Sequence, residues 1–142
     1  MNVEIKLLKP GDEGVLDHVA GDVFDGPVER SRTTACLAQP GHHMIVAIAD
    51  GKVVGQCAAV IHRHPDKVTE LYIDEVGVAP AFQRRGIAHM MLDRMFALGK
   101  SLGCKEAWVG TEPDNIAARG LYQSRKEGAK LAEDFVMYVY EL

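Results

Sequence analysis

The sequence predicts a mixed α/β domain: one central, mostly antiparallel sheet flanked by helices. Three observations carry this expectation. Asp50-Gly51 stands between two apolar runs, a hairpin signal because both turn positions favour positive φ. One apolar stripe, Ile87, Met91, Met95, Leu98 and Leu102, recurs at helical steps between two strand-like segments. Antiparallel pairs come early in the chain and strand–helix–strand units come late, which packs helices against a single sheet.

The elements follow in order. Val3 to Leu8 alternates apolar and polar residues and reads as a half-buried strand. Pro10, Gly11 and Asp12 open a helix expected to run to about Phe24, and Pro27 opens a second, Val28 to Ala38, stopped by Pro40-Gly41. Met44–Ala49 and Lys52–Ile61 are the two arms of the hairpin, with His42 and His43 read as turn residues. His62 to Lys67 is a polar turn. Val68 to Val78 is a strand whose alternation slips between Ile73 and Val76, as a β-bulge would make it do. The Ile87 stripe is a helix ended by Gly103 in the C′ position, with Gly99 a costly interior residue. Lys105–Thr111 is a strand, Asp114 caps a last helix to about Arg125, and Phe135–Leu142 is a closing strand.

At 142 residues without repeats or low-complexity tracts, the chain is expected to be one domain over 1–142. A net charge of −4 argues against nucleic acid, which selects a basic stripe, and suits a cationic substrate. Cys36, Cys57 and Cys104 are scattered and lack CxxC spacing, so they read as buried thiols in a reducing compartment. With no apolar leader and no stretch near the ~20 residues that span a bilayer, a cytoplasmic protein without a membrane partner is expected.

The informative stretch is Glu75 to Ala88, a strand that runs through a short loop into a helix start. The first turn of a helix offers free N–H groups and the positive end of its dipole to an anion such as phosphate. Gly86 and Ala88 let backbone approach that anion closely, and Arg84 and Arg85 add positive charge. Ile87-Ala88 stands where a Walker loop requires Lys-Ser/Thr, and no GxGxxG follows the first strand. The site therefore lacks the lysine and metal apparatus of phosphoryl transfer.

Gln83-Arg84-Arg85-Gly86-Ile87-Ala88 resembles the Q/R-x-x-G-x-G/A signature of the GNAT superfamily of acyl-CoA N-acyltransferases, preceded by Val76-Gly77-Val78-Ala79-Pro80 at the strand end. Asn115, Ala118 and Leu121-Tyr122 match that family's N-x-x-A-x-x-L-Y motif. Leu71 to Val76 and Asp134 to Tyr138 are most similar to an aminoglycoside 3-N-acetyltransferase-like branch, while Ser124 to Gly128 departs from the family pattern after Leu-Tyr.

The resemblance implies the GNAT fold, acetyl-CoA as co-substrate, a primary amine of a small molecule as acceptor, and a homodimer. It implies pyrophosphate on the main chain of Arg84, Arg85, Gly86, Ala88 and His89, with Gln83 and Ile87 also among the cofactor-binding residues. It implies pantetheine along Val76, Gly77 and Val78, with the Val76 N–H facing the thioester oxygen and Asn115 as a polar contact. Glu75 takes the part of general base, since an ammonium of pKa near ~10 must lose a proton before it attacks. Asp74 is expected on the opposite side of the strand, and Tyr122 corresponds to the general acid.

His62, His64 and Asp66 lack a standard metal spacing, so no metal is expected, and His64 or Asp66 suits substrate contact better. Asp25, Glu29, Asp66, Glu70, Asp74, Glu112 and Asp114 are candidates to line an amine pocket, or are an ordinary charged surface. Protein lysine or N-terminal acetylation, and a non-catalytic coenzyme A-binding module, are the alternative functions.

Overall fold

Extended backbone begins at β1 (Glu4–Leu7), which pairs antiparallel with β2 (His42–Ala49). The computed structural model describes residues 2–125 and 132–142. They fall into two units, 1–110 and 111–142.

In the first unit β2 pairs with β3 (Lys52–His62) and β3 with β4 (Glu70–Val78), both antiparallel. β5 (Glu106–Val109) joins β4 in parallel, so spatial order equals chain order. Asp50 and Gly51 close the β2–β3 hairpin with φ of 51° and 74°, the primed turn that matches strand twist. His42 and His43, expected in a turn, are strand residues paired with Val60 and Ala59. Gly41 at φ 84° does the turning and its carbonyl accepts the Ile61 N–H, so extension starts at once.

One face of the sheet carries α2 (Ile87–Ser101), the crossover between β4 and β5. Its buried residues are Ile87, Met91, Leu92, Met95 and Gly99, whereas Leu98 is half-buried and Leu102 exposed. Gly103 at φ 88° ends the helix in a Schellman motif, with Gly103 N–H on Lys100 O and Cys104 N–H on Gly99 O. Gly99 has a packing reason: a Cβ there would stand 2.9 Å from Leu71 Cδ2. Arg94 Nη1 donates to Ile5 O at 3.2 Å and ties the helix to β1.

On the other face Leu8, Leu16, Val23, Val46, Val53 and Ala79 form a second buried cluster. The N-terminal helix expected to reach Phe24 is only a 3-10 helix, Glu13–Asp17. Its continuation is taken by β3: Val53 N–H donates to His18 O, Ala20 N–H donates to Val53 O, and Val19 bridges Val53. Two glycines and three valines between Gly14 and Val23 weaken helix propensity enough for these bonds to win. α1 is Arg30–Ala38, two residues shorter at its start than expected. Gln39 is extended before Pro40, as a residue preceding proline should be.

The second unit contains α3 (Ile116–Ser124). Its cap is Asn115 rather than Asp114, with Asn115 Oδ1 accepting the Ala118 N–H at 3.0 Å. Residues 135–142, expected as a strand, have no ladder among the described residues, because alternation prescribes faces but supplies no partner. The part of the departure from the family pattern at 126–128 lies outside the described residues.

Gly99→Val should lower stability by about 1–3 kcal/mol, the usual cost of overpacking. The urea midpoint should fall with an unchanged slope; an unaltered midpoint would refute the packing role given to Gly99.

Candidate active site

β4 changes character at Asp74. Ala58 pairs with Glu75 and Ala59 with Ile73, so Asp74 is the extra residue of a bulge. Before it, Leu71 packs on Gly99 of α2, and Ile73 shares that face. Beyond it, Gly77 lies under the Val23 carbonyl on the opposite face, and Glu75 shares that one. A strand without the bulge would aim Glu75 at α2, since side-chain period two keeps residues 73 and 75 together. Asp74, expected opposite Glu75, does not alternate; its charge reaches both Glu75 and Cys36.

The backbone of β4 is directed as well. Ala79 N–H donates to Val54 O at 2.8 Å, which makes Val54–Ala79 a hydrogen-bonded pair. Antiparallel alternation then turns the amides and carbonyls of Val76 and Val78 away from β3. β5 pairs only with Glu70 to Ile73, so it stops short of them. Val78 O accepts instead from Gln83 Nε2 at 3.1 Å, which folds the following loop back onto the strand end.

That loop delivers α2. After a Pro80–Phe82 3-10 turn, Arg84 adopts φ 61° and Gly86 φ 79°. Left-handed residues interleaved with ordinary ones converge successive N–H groups into an anion-binding nest. Non-glycine residues rarely hold that conformation, and such strain gathers at ligand sites. Gly86 is the N-cap of α2, no side chain caps this end, and a Cβ at Gly86 would meet nothing within 4 Å. Ile87 is buried, so its side chain is core and its amide is what it offers. Arg85 lies over the Phe82 ring at 5.4 Å. A diphosphate fits this seat, and the outward edge of β4 continues from it as a strand-like track.

On the Glu75 side a cavity of about 370 Å³ opens between β4, α1 and the segment before α1. Glu75, Asp25, Glu29, Arg32, Thr33 and Cys36 supply its polar lining. Burial raises the Glu75 pKa above the ordinary carboxylate value, and the charges of Asp25 and Asp74 raise it further. Burial, then Asp74 and Glu75, likewise push the Cys36 thiol up, which keeps it unreactive. Arg32 Nε pairs with Glu29 Oε2 at 2.9 Å, while Asp25 acts through its charge on Glu75 in the same cavity. Of the acidic candidates, Asp25 and Glu29 line this space, while Asp66 and Glu70 do not. His64, which with Asp66 suited a substrate contact better than a metal, stands 2.6 Å from Glu70 with its ring edge-on to His62. Among the described residues no group of three or more His, Cys, Asp or Glu is placed to hold a metal.

The first unit thus gathers Glu75, Val76, Gly77, Val78 and Gln83 to His89 around one strand end and one helix start. Asn115 and Tyr122 belong to the second unit, on α3, where the Asn115 carbonyl oxygen is committed to the cap. Thr33, Cys36 and Arg32 escape a reading of the sequence: nothing local marks them, and only the packing of α1 across the sheet brings them to the cavity.

Comparison with known proteins bears on the fold and the family. Residues 16–126 match the acetyltransferase (GNAT) family. Aminoglycoside N(6')-acetyltransferase type 1 of Salmonella typhimurium is 29% identical over 84 residues, 56% of this chain and 57% of that protein. The match therefore spans little more than half the length of that relative, and its name places acetylation at 6′ rather than at the 3-N position of the branch that the sequence resembles. Among solved structures, an aminoglycoside acetyltransferase from an uncultured soil metagenomic sample, in complex with sisomicin, superposes with a TM-score of 0.82 at 19% identity, covering 99% of this chain and 96% of the other. AAC(6')-Iy in complex with a bisubstrate analogue, CoA-S-monomethyl-acetylneamine, gives 0.79 at 20% identity over the full length of both. Carrying this fold and the family pattern over most of its length, the chain belongs to the GNAT acetyltransferase family.

Proposed function

We propose that the protein is an acetyl-CoA-dependent N-acetyltransferase whose acceptor is a primary amine of a small polycationic molecule, of aminoglycoside or polyamine type. The observation that carries this reading is the acidic cavity holding Glu75 at the strand end that leads into the uncapped start of α2. The relatives named for aminoglycosides point the same way.

Bound acetyl-CoA supplies an activated thioester. The amides of the turn at 84–89 hold its diphosphate, with the arginine side chains adding field rather than fixed bonds. Val76 and Val78 hold the arm by strand-like pairing, and the Val76 N–H stabilises the oxyanion as it develops. Glu75, made more basic by its surroundings, takes the proton from the ammonium directly or through water. The free amine then attacks the thioester carbon, the C–S bond breaks, Tyr122 gives the departing sulfur its proton, and the second proton that the nitrogen sheds on becoming an amide restores the phenol. No covalent enzyme intermediate is needed, since holding both reactants supplies much of the rate. Asp25 offers a second carboxylate to a further ammonium. A homodimer and a cytoplasmic setting belong to the same reading. The family resemblance supports the first, and three free thiols support the second.

A thiol reagent with acetyl-CoA and a panel of amines tests the activity. Thiol release is expected with aminoglycosides or polyamines; silence with every amine would favour a coenzyme A-binding module. Glu75→Gln should lower kcat at neutral pH by roughly 10²-fold or more, with partial recovery at high pH where the amine is already free. Because the Glu75 pKa is raised, the acid limb of wild-type kcat/KM should lie above the range of an ordinary glutamate, activity growing as the carboxylate loses its proton. An unchanged profile in the variant would remove Glu75 from the base role.

Gly86→Glu places a side chain and a negative charge at φ 79° in the anion seat. It should abolish coenzyme A binding by calorimetry while unfolding stays cooperative; normal affinity would overturn the loop assignment.

A further inference from the structure

The cavity wall bearing Asp25 is part of no helix or strand. It belongs to the segment 19–26, which has only turns and bends after its bridge to Val53. Its entry is pinned by the His18 and Ala20 bonds to Val53. Beyond them Val23 makes a polar contact with the sheet: its carbonyl accepts from Gln56 Nε2 at a long 3.5 Å. Val23 itself is 2% exposed.

Two features of the sheet meet that carbonyl. Gly77 faces it from β4, and a Cβ at Gly77 would strike the Val23 oxygen. Gln56, on β3 and paired with Gly77, reaches it from the side. Gln56 is 2% exposed, and its Oε1 has no hydrogen-bond partner among the described residues. A buried acceptor without a partner costs stability, and leucine would fill the same space without that cost. Swapping the amide's oxygen and nitrogen would set two oxygens against each other, so the orientation is determined by Val23.

We infer that Gln56 and Gly77 are positioning residues, seating the 19–26 segment on the sheet so that Asp25 stands in the cavity beside Glu75. Gly77 provides the bare surface on which the main chain rests, and Gln56 fixes where along that surface Val23 sits. Two residues later the chain presents Asp25, which recognises an ammonium group of the acceptor and sets the field at Glu75. The other charge acting on Glu75 is Asp74, on β4 itself, while Glu29 at the start of α1 and Arg32 and Cys36 within it line the same cavity. None of these lies on the 19–26 segment.

The inference rests on the reading of Glu75 as base, and the test separates the two. Gln56→Leu, Asp25→Asn and the double variant are compared with wild type for amine and acetyl-CoA kinetics across pH, with circular dichroism to verify cooperative unfolding. Gln56→Leu should raise the KM for the amine roughly fivefold, equivalent to losing one ammonium–carboxylate contact, and leave the KM for acetyl-CoA unchanged. It should also move the acid limb of kcat/KM to lower pH, in the direction of Asp25→Asn, because Glu75 loses a neighbouring negative charge. The double variant should add nothing to Asp25→Asn alone. Wild-type amine KM and pH profile in Gln56→Leu, or full additivity in the double variant, would overturn the inference. If Glu75→Gln leaves the acid limb in place, the base reading fails, and the amine KM and its non-additivity decide the seating role on their own. Gly77→Ala, which must displace the Val23 carbonyl, should reproduce the pH shift; its absence in a folded variant counts against the inference.

Discussion

One inserted residue governs the site. With Asp74 set out of the ladder, a single strand serves the helix-packed core up to Ile73 and then offers Glu75 to the opposite face. The same step leaves Val76 and Val78 with main-chain groups pointing where no strand follows. The Glu75 carboxylate and the amide track are therefore one feature of one strand, and their spacing is held by covalent geometry rather than by packing. A strand in perfect register would have put a carboxylate into an apolar helix interface, at a cost that no nearby cation could offset.

The charge arrangement follows from that placement. Glu75 faces a half-closed space in which Asp25 and Asp74 oppose its ionisation. Like charges near each other make a carboxylate hold its proton more tightly, which is what a base toward an ammonium requires. Arg32 is engaged by Glu29 and Arg30 by Asp17, so in the proposed reading the cationic partner for this field is the acceptor's ammonium. A few residues further along, past the end of β4, the polarity reverses: the start of α2 and two arginines collect positive potential, so acidic and basic regions lie close together at one end of the strand, on either side of Val78.

Much of this is legible in the sequence because it is written locally. The slip after Ile73, the Asp50-Gly51 turn, the Ile87 stripe and the Gly86 turn each follow from nearest-neighbour sterics or side-chain period. What is not legible depends on contacts distant in the chain. The helix expected through Phe24 yields to Val53, more than thirty residues beyond His18 and Ala20, and nothing within Val15 to Val23 announces that competition. Asn115 outranks Asp114 as a cap by one position, a margin finer than side-chain type resolves. The tail from Phe135 alternates as a strand does, yet pairing needs a second edge that its own sequence cannot name. Thr33 and Cys36 line the cavity only because α1 crosses the sheet there.

Among the described residues the two edge strands are the most lightly held. β1 joins β2 and β5 joins β4 through four residue pairs each, and each pairing closes only after a helical connection, α1 before β2 and α2 before β5. Contacts that close long loops carry the larger entropy cost, and the units held by the fewest bonds open first. Local opening at either margin thus requires less free energy than opening of the central strands, and at β5 it widens the flank on which Val76 and Val78 lie. In the proposed reading, fraying of that margin and admission of the long, thin arm of the co-substrate are a single motion, which ties its association rate to the protection of β5 amides against hydrogen exchange.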